Sequence, residues 1–240
     1  MSALLYQFPI SHYCEKARWA LEHKGVEYKI KNLLPGLHVK PLRRMARGTT
    51  VPLLHIEGQA IQGSDAIIDF LDAQYTDAPL TPADAQAMQE ARDWEQFAAE
   101  RIADPLRSCF YHYLLEHPRI VIGLFTQDGP WYGRLFYSVT YKKVEQVIRG
   151  GYQINLRTAQ LCMRVIGKAL DKLDAHLQDN NFLVAEQFSR ADLSVCALLS
   201  PLVLPERGYM KQDTSLPEEL IHFRQQHLNR PVFRWVNEMY

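Results

Sequence analysis

The chain has 240 residues, 47% of them hydrophobic, enough to build a core in one large domain or two small ones without covalent staples. Its 27 basic residues balance 27 acidic ones, so net charge gives no argument for nucleic acid, an anionic membrane surface or an acidic partner. The four cysteines, Cys14, Cys109, Cys162 and Cys196, form neither a C-x-x-C pair nor a His/Cys zinc spacing, which reads as free thiols in a reducing compartment and no metal site.

The apolar run Leu4-Leu5-Tyr6 predicts a strand, followed by the stretch Phe8 to Arg18, where a helix running to about His23 begins. Ser11 falls at the start of that helix. Read locally it is an N-cap, yet the same place lies beside unpartnered N–H groups at the positive end of the helix, which suits an anion. Gly25 ends the helix, and Val26, Tyr28 and Ile30 alternate with polar residues as a half-buried strand does. Between Asn32 and Thr50, Lys40, Arg43, Arg44 and Arg47 read as a solvated basic face, while Leu42, Met45 and Ala46 allow a short helix. Val51 to Ile56 reads as a strand, Glu57-Gly58-Gln59 as a tight turn and Ala60-Ile61 as the return of a hairpin. A helix then starts near Ser64, with Asp65 in its first turn and Ile67, Phe70 and Leu71 on one face. The order β-α-β-α-β-β-α is that of an open sheet covered by helices.

Tyr75 to Pro82 reads as a linker that ends in a helix start, with Thr81 as N-cap and Pro82 at the first helical position. Beyond it the pattern is helical. Residues 83–107 are rich in Ala, Gln and Glu, and Leu161, Val165, Ala169, Leu173 and Leu177 form a stripe on a helix from about Leu156 to Leu177. The intervening region is dense in aromatics, which can line an apolar pocket or fill a core; Tyr111, Tyr113, Trp131 and Tyr137 are its pocket candidates. Ser189-Arg190-Ala191-Asp192 is a capping box, with Phe188 and Leu193 placed as a hydrophobic staple. Pro201, Pro205 and Gly208 limit the helix it opens, and Pro231 starts a last short one. The longest central apolar run, Ile120 to Phe125, is far below the ~20 residues of a membrane span, and the first residues lack a basic leader with a long apolar run. A cytoplasmic protein is expected.

Ser11-x-x-Cys14 at the first helix, Val51-Pro52 before the third strand, Ser64-Asp65-Ala66-Ile67 opening the next helix, and the Ser189-Arg190-Ala191-Asp192 box together resemble the cytosolic glutathione transferases of the serine type, over nearly the whole chain. The resemblance implies an α/β domain followed by an all-α one. Residues 1–75 would be a thioredoxin-like, glutathione-binding domain with a mixed four-stranded sheet, 76–82 a linker, and 83–240 an all-helical domain carrying the hydrophobic substrate pocket. It further implies Ser11 as the catalytic hydroxyl that donates to the glutathione sulfur, and Val51, before a cis Pro52, as the residue whose N–H and C=O pair with the cysteinyl backbone. Ser64 and Asp65 would hold the γ-glutamyl carboxylate at a helix N-terminus. The chemistry agrees with that role for Ser11: a free thiol titrates near 8.5, and a donor at a helix start lowers that value, so more of it is nucleophilic thiolate.

Glutathione would thus be a co-substrate with no tightly bound cofactor, its partner a small hydrophobic electrophile, and the protein a homodimer. Arg18 is similar to an arginine of omega-like members and reads as a structural ion-pair residue, and Cys14 reads as packing, since a dithiol cycle lacks its attacking thiol when Ser11 holds that place. The sequence departs from the family pattern at Gly63, where Glu or Gln is usual, with Gln62 one place earlier. It departs again at Thr49 and Thr50, where a Lys is common, and at His12, which replaces a proline. The rival expectations are a non-catalytic binding or regulatory protein of this fold, and a glutathione-dependent isomerase, dehalogenase or thiol reductase.

Overall fold

The computed structural model describes residues 3–210 and 216–240. Strand β1 (Ala3–Gln7) alternates buried Ala3, Leu5 and Gln7 with half-buried Leu4 and Tyr6. It is followed by α1 (His12–His23), β2 (Tyr28–Asn32), the short α2 (Val39–Arg43), β3 (Leu53–Ile56), β4 (Gln59–Gln62) and α3 (Ser64–Gln74). The sheet order is β2-β1-β3-β4, with β1 parallel to β2 and antiparallel to β3, and β4 antiparallel to β3. Leu5 lies opposite Leu54, both fully buried, and opposite Ile30 of the edge strand β2, which is 41% exposed. One core forms between the sheet and α1 and α3, from Leu5, Leu21, Leu54, Ile67, Ile68 and Leu71. This is the thioredoxin-like arrangement.

The rest is mostly helical. Helix α4 (Ala85–Ala98) continues through a wide π turn (Ala99–Ala103) into α5 (Asp104–Leu114). Then come α6 (Pro118–Thr126), α7 (Gly133–Gly151), α8 (Leu156–His176), α9 (Arg190–Val203), α10 (Glu218–Gln225) and α11 (Pro231–Met239). Their shared core includes Ile102, Leu106, Tyr137, Ile166, Leu170, Leu198 and Val236. The capping box at Ser189 is complete, and its staple reaches across: Phe188 and Leu193 both pack on the sheet-side core.

Several local expectations are corrected. Val26 is not part of β2; its N–H bonds to the carbonyl of Leu21 at 3.0 Å, closing the end of α1 around Gly25, which has φ +61°. Only the Leu42 end of the expected Leu42–Ala46 helix is helical. The cap of α4 is Asp84, which accepts from Ala87 N–H at 2.9 Å, and the cap of α3 is Gly63, φ +99°, rather than Ser64. Thr81 instead donates through its N–H and hydroxyl to Asp72, at 2.9 and 2.6 Å. The stripe on α8 runs through Ala159, Ile166, Ala169, Leu170 and Leu173, and Leu161 is 53% exposed. Four-residue steps drift by about 40° each on a 3.6-residue helix, so the expected line wraps off the core face. Pro201 lies inside α9. The helix survives it by ending within a turn, where Arg224 donates to the carbonyls of Leu202 and Val203 at 3.1 and 2.9 Å.

Four helices are tied together around two buried cations. Lys16 on α1 pairs with Asp65 on α3 and with Glu95 on α4. Arg190 on α9 donates to the other oxygen of Glu95 at 2.9 Å and to Asp69 at 2.6 Å. Lys16 and Arg190 are 1% and 0% exposed in their side chains, so each depends on these partners.

Candidate active site

The turn after β1 and the first turn of α1 form one wall of a cavity of about 280 Å³ through Phe8, Ile10, Ser11, His12 and Tyr13. The volume stands at the lower edge of the roughly 300–1,000 Å³ typical of small-molecule sites. Val51, with Thr49 and Thr50, forms a second side, and α5 faces them with Leu106, Arg107, Phe110, Tyr111 and Leu114. Spacings of three and four residues put these α5 side chains on one helix face. Leu124 and Phe125 of α6, Tyr152 and Pro201 complete the enclosure.

Ser11 is the N-cap of α1, and its Oγ accepts from the N–H of Cys14 at 3.3 Å. A hydroxyl has two acceptor sites and one proton, so capping leaves the O–H to donate. The neighbouring Val51–Pro52 bond is cis, and among the described residues no other backbone group bonds the N–H or C=O of Val51. Cys14 is fully buried; burial pushes its thiol up, against a contact from Ser11 that lowers it. Arg18 is paired with Glu15 and bonded to Gln7, behind the cavity.

The other expected contacts are distributed differently. Ser64 is buried at the first position of α3 and donates to Asp65 at 3.2 Å, and neither residue is on the cavity wall. For Asp65 burial works to raise the carboxyl, but the ammonium of Lys16 outweighs it and holds the group low. Gln62 is not free for a ligand. Its amide clamps the loop before Val51, accepting from Gly48 N–H at 3.0 Å and donating to Thr50 C=O at 2.8 Å. Of the four aromatic candidates Tyr111 lines the cavity. Tyr137 is buried in the helical core with its hydroxyl donating to Pro35 C=O at 2.8 Å, Trp131 is 89% exposed, and Tyr113 lies off the wall.

The residues missed from sequence are Arg107, His12 and Tyr152. His12 is 8% exposed, its Nε2 has no hydrogen-bond partner among the described residues, and burial together with the charge of Arg107 pushes it down to about 3. It is neutral at physiological pH. Arg107 lies over the Tyr152 ring at 4.7 Å and bonds Asp104 at 2.6 Å. Tyr111, pushed up to about 12 by burial, is likewise uncharged. The i, i+3, i+4 spacing around Phe110 was visible in the sequence, but the face it points to was not.

Comparison with known proteins agrees with this architecture. Residues 5–79 match the family "Glutathione S-transferase, N-terminal domain". The chain is 24% identical over 229 residues to the glutathione S-transferase TCHQD of Arabidopsis thaliana, covering 89% of this chain and 83% of that one. It is 33% identical over 91 residues to a probable maleylacetoacetate isomerase of Caenorhabditis elegans, covering 37% of this chain and 42% of that protein. Among solved structures, the β-etherase LigF from Sphingobium superposes with a TM-score of 0.65 at 18% identity, over 100% of both chains, a likeness of fold. Residues 5–79 thus match the N-terminal domain of the glutathione S-transferase family, and over the whole chain the likeness to solved members is one of fold.

Proposed function

We propose that this chain is a glutathione transferase in which Ser11 stabilises the thiolate of glutathione for attack on an apolar electrophile. The observation that carries the reading is the meeting of the Ser11 hydroxyl and the Val51 backbone on one cavity, at the start of α1, opposite an apolar wall from α5. The thiolate there lies near the positive end of α1 and within reach of an O–H donor, both of which favour the charged form. Val51 pairs with the cysteinyl backbone as an added strand would, and the start of α3 at Ser64 and Asp65 receives the γ-glutamyl carboxylate. Residues 1–75 supply the glutathione side, 76–82 the link and 83–240 the acceptor side. The same reading carries a cytoplasmic homodimer with no tightly bound cofactor.

Titration of glutathione into the purified protein tests the first step, and absence of binding up to several millimolar would remove the enzyme reading. A second reading, glutathione-dependent isomerisation, is favoured by the likeness to the probable maleylacetoacetate isomerase. Mass spectrometry of products separates the two, because glutathione stays in a conjugate and is released after an isomerisation.

A further inference from the structure

Arg107 gives the cavity a feature that a wholly apolar acceptor leaves unused. Among the described residues on the wall it is the single side chain carrying a full charge at neutral pH, with no Lys, Asp or Glu beside it on that surface. Asp104, whose side chain is 54% exposed, accepts from one Nη and screens part of that charge. The Nε–H of Arg107 is buried with no partner among the described residues, an unfavourable state for a donor. His12 Nε2 on the same wall is also buried without a partner, and the ring adds no second charge. The guanidinium carbon lies 4.7 Å from the centre of the Tyr152 ring, a cation–π contact that holds the group in place. The rest of the wall near it, Leu106, Phe110, Tyr111 and Phe125, suits an aromatic ring.

We infer that the acceptor taken by this cavity is an aryl carboxylate, its ring among Phe110, Tyr111 and Tyr152 and its carboxylate accepting from the free donors of Arg107. The inference rests on reading this cavity as the acceptor site and adds the charge of the acceptor. An uncharged aromatic fills the same apolar wall and leaves the guanidinium charge unmatched, and the acid matches it.

The test is titration of the purified chain with 4-chloro-3-nitrobenzoate and with its methyl ester, each with and without glutathione, alongside the kcat/KM for conjugation of both. The acid is expected to bind tighter than the ester by about tenfold or more, in line with a charge-assisted hydrogen bond, and raised salt should narrow the gap. Arg107→Gln should remove the preference, and Arg107→Lys, which keeps the charge and loses the fork, should retain part of it. Melting curves establish that the variants are folded; if Arg107→Gln is not, Arg107→Lys and the salt dependence carry the test. Equal affinities for acid and ester in the wild type, or an undiminished preference in the folded variants, would overturn the inference. Because acid binding is read without glutathione, the two failures are distinct. Acid preference without glutathione binding ends the transferase reading and leaves the acid site standing, whereas conjugation with no acid preference does the reverse.

Discussion

Helices α1 and α9 both begin on a serine, and in both the hydroxyl accepts from the helix backbone, Ser11 from Cys14 N–H at 3.3 Å and Ser189 from Ala191 N–H at 3.2 Å. The surroundings then diverge. Ser189 is 1% exposed, and its own hydroxyl proton goes to Asp192 at 2.9 Å. Ser11 lines a cavity, and among the described residues its hydroxyl donates to no oxygen or nitrogen, the Cys14 thiol being the neighbour it contacts. The residue after each cap repeats the contrast: Arg190 is charged and bonded to Glu95, Asp69 and Thr81, while His12 is neutral with its Nε2 unpartnered. The same capping chemistry is thus closed at α9 and left open at α1. A helix start becomes available for chemistry only where packing leaves one donor without a partner.

The largest way to disturb both starts at once is Glu95→Ala, which strips the shared partner from Lys16 and Arg190. Loss of about 3–5 kcal/mol is expected from leaving buried charges uncompensated, read by denaturant unfolding. Asp192→Ala acts on α9 alone. It orphans the N–H groups of Leu183 and Ser189, bonded at 2.8 Å each, and should cost about 3 kcal/mol, with Asp192→Asn milder.

His12 supplies a pH test on the α1 side. Its folded value is about 3, below the usual 6.5, so the unfolded chain takes up the proton first as pH falls. Stability present above pH 6.5 should therefore decline by about 1.4 kcal/mol per unit down toward the folded value. A His12→Gln variant whose melting temperature falls as steeply as that of the wild type between pH 6.5 and 4 would contradict this.

Ser11→Ala and Ser189→Ala sharpen the comparison directly. Each should lose about 1 kcal/mol of stability as a cap. Only Ser11→Ala should also slow conjugation, by ~10-fold or more, or about 1.4 kcal/mol of transition-state stabilisation. Equal rates for the two variants would return Ser11 to a purely structural role. The smallest effect belongs to Cys14→Ala, a modest loss of packing with no change in conjugation rate, because that thiol is buried and pushed up by its surroundings.

Much of the architecture was legible from local chemistry. The alternation in β1, the Ser11 start, the hairpin after Val51, the Ser189 box and Pro231 at the start of α11 all rest on contacts within a few residues, where short-range physics decides. The misreadings came where a distant partner competed. Thr81 had the right chemistry for a cap but is held by Asp72 and Arg190. Aromatic density likewise did not separate Tyr111 on the cavity from Tyr137 in the core, since both are good apolar residues on helices.

The amino-acid sequence by itself determined the β-α-β-α-β-β-α order of the first part of the chain, the caps that start α1 and α9, and the likeness to the transferase family, because periodicity and capping are properties of neighbouring residues. Only the tertiary structure decided which polar groups were left without partners. The open hydroxyl of Ser11 and the unpaired Nε atoms of Arg107 and His12 are defined by what α5, the Val51 loop and Tyr152 bring near them. That depends on bringing together segments from about 40 to about 140 residues apart in the chain, which no local pattern encodes.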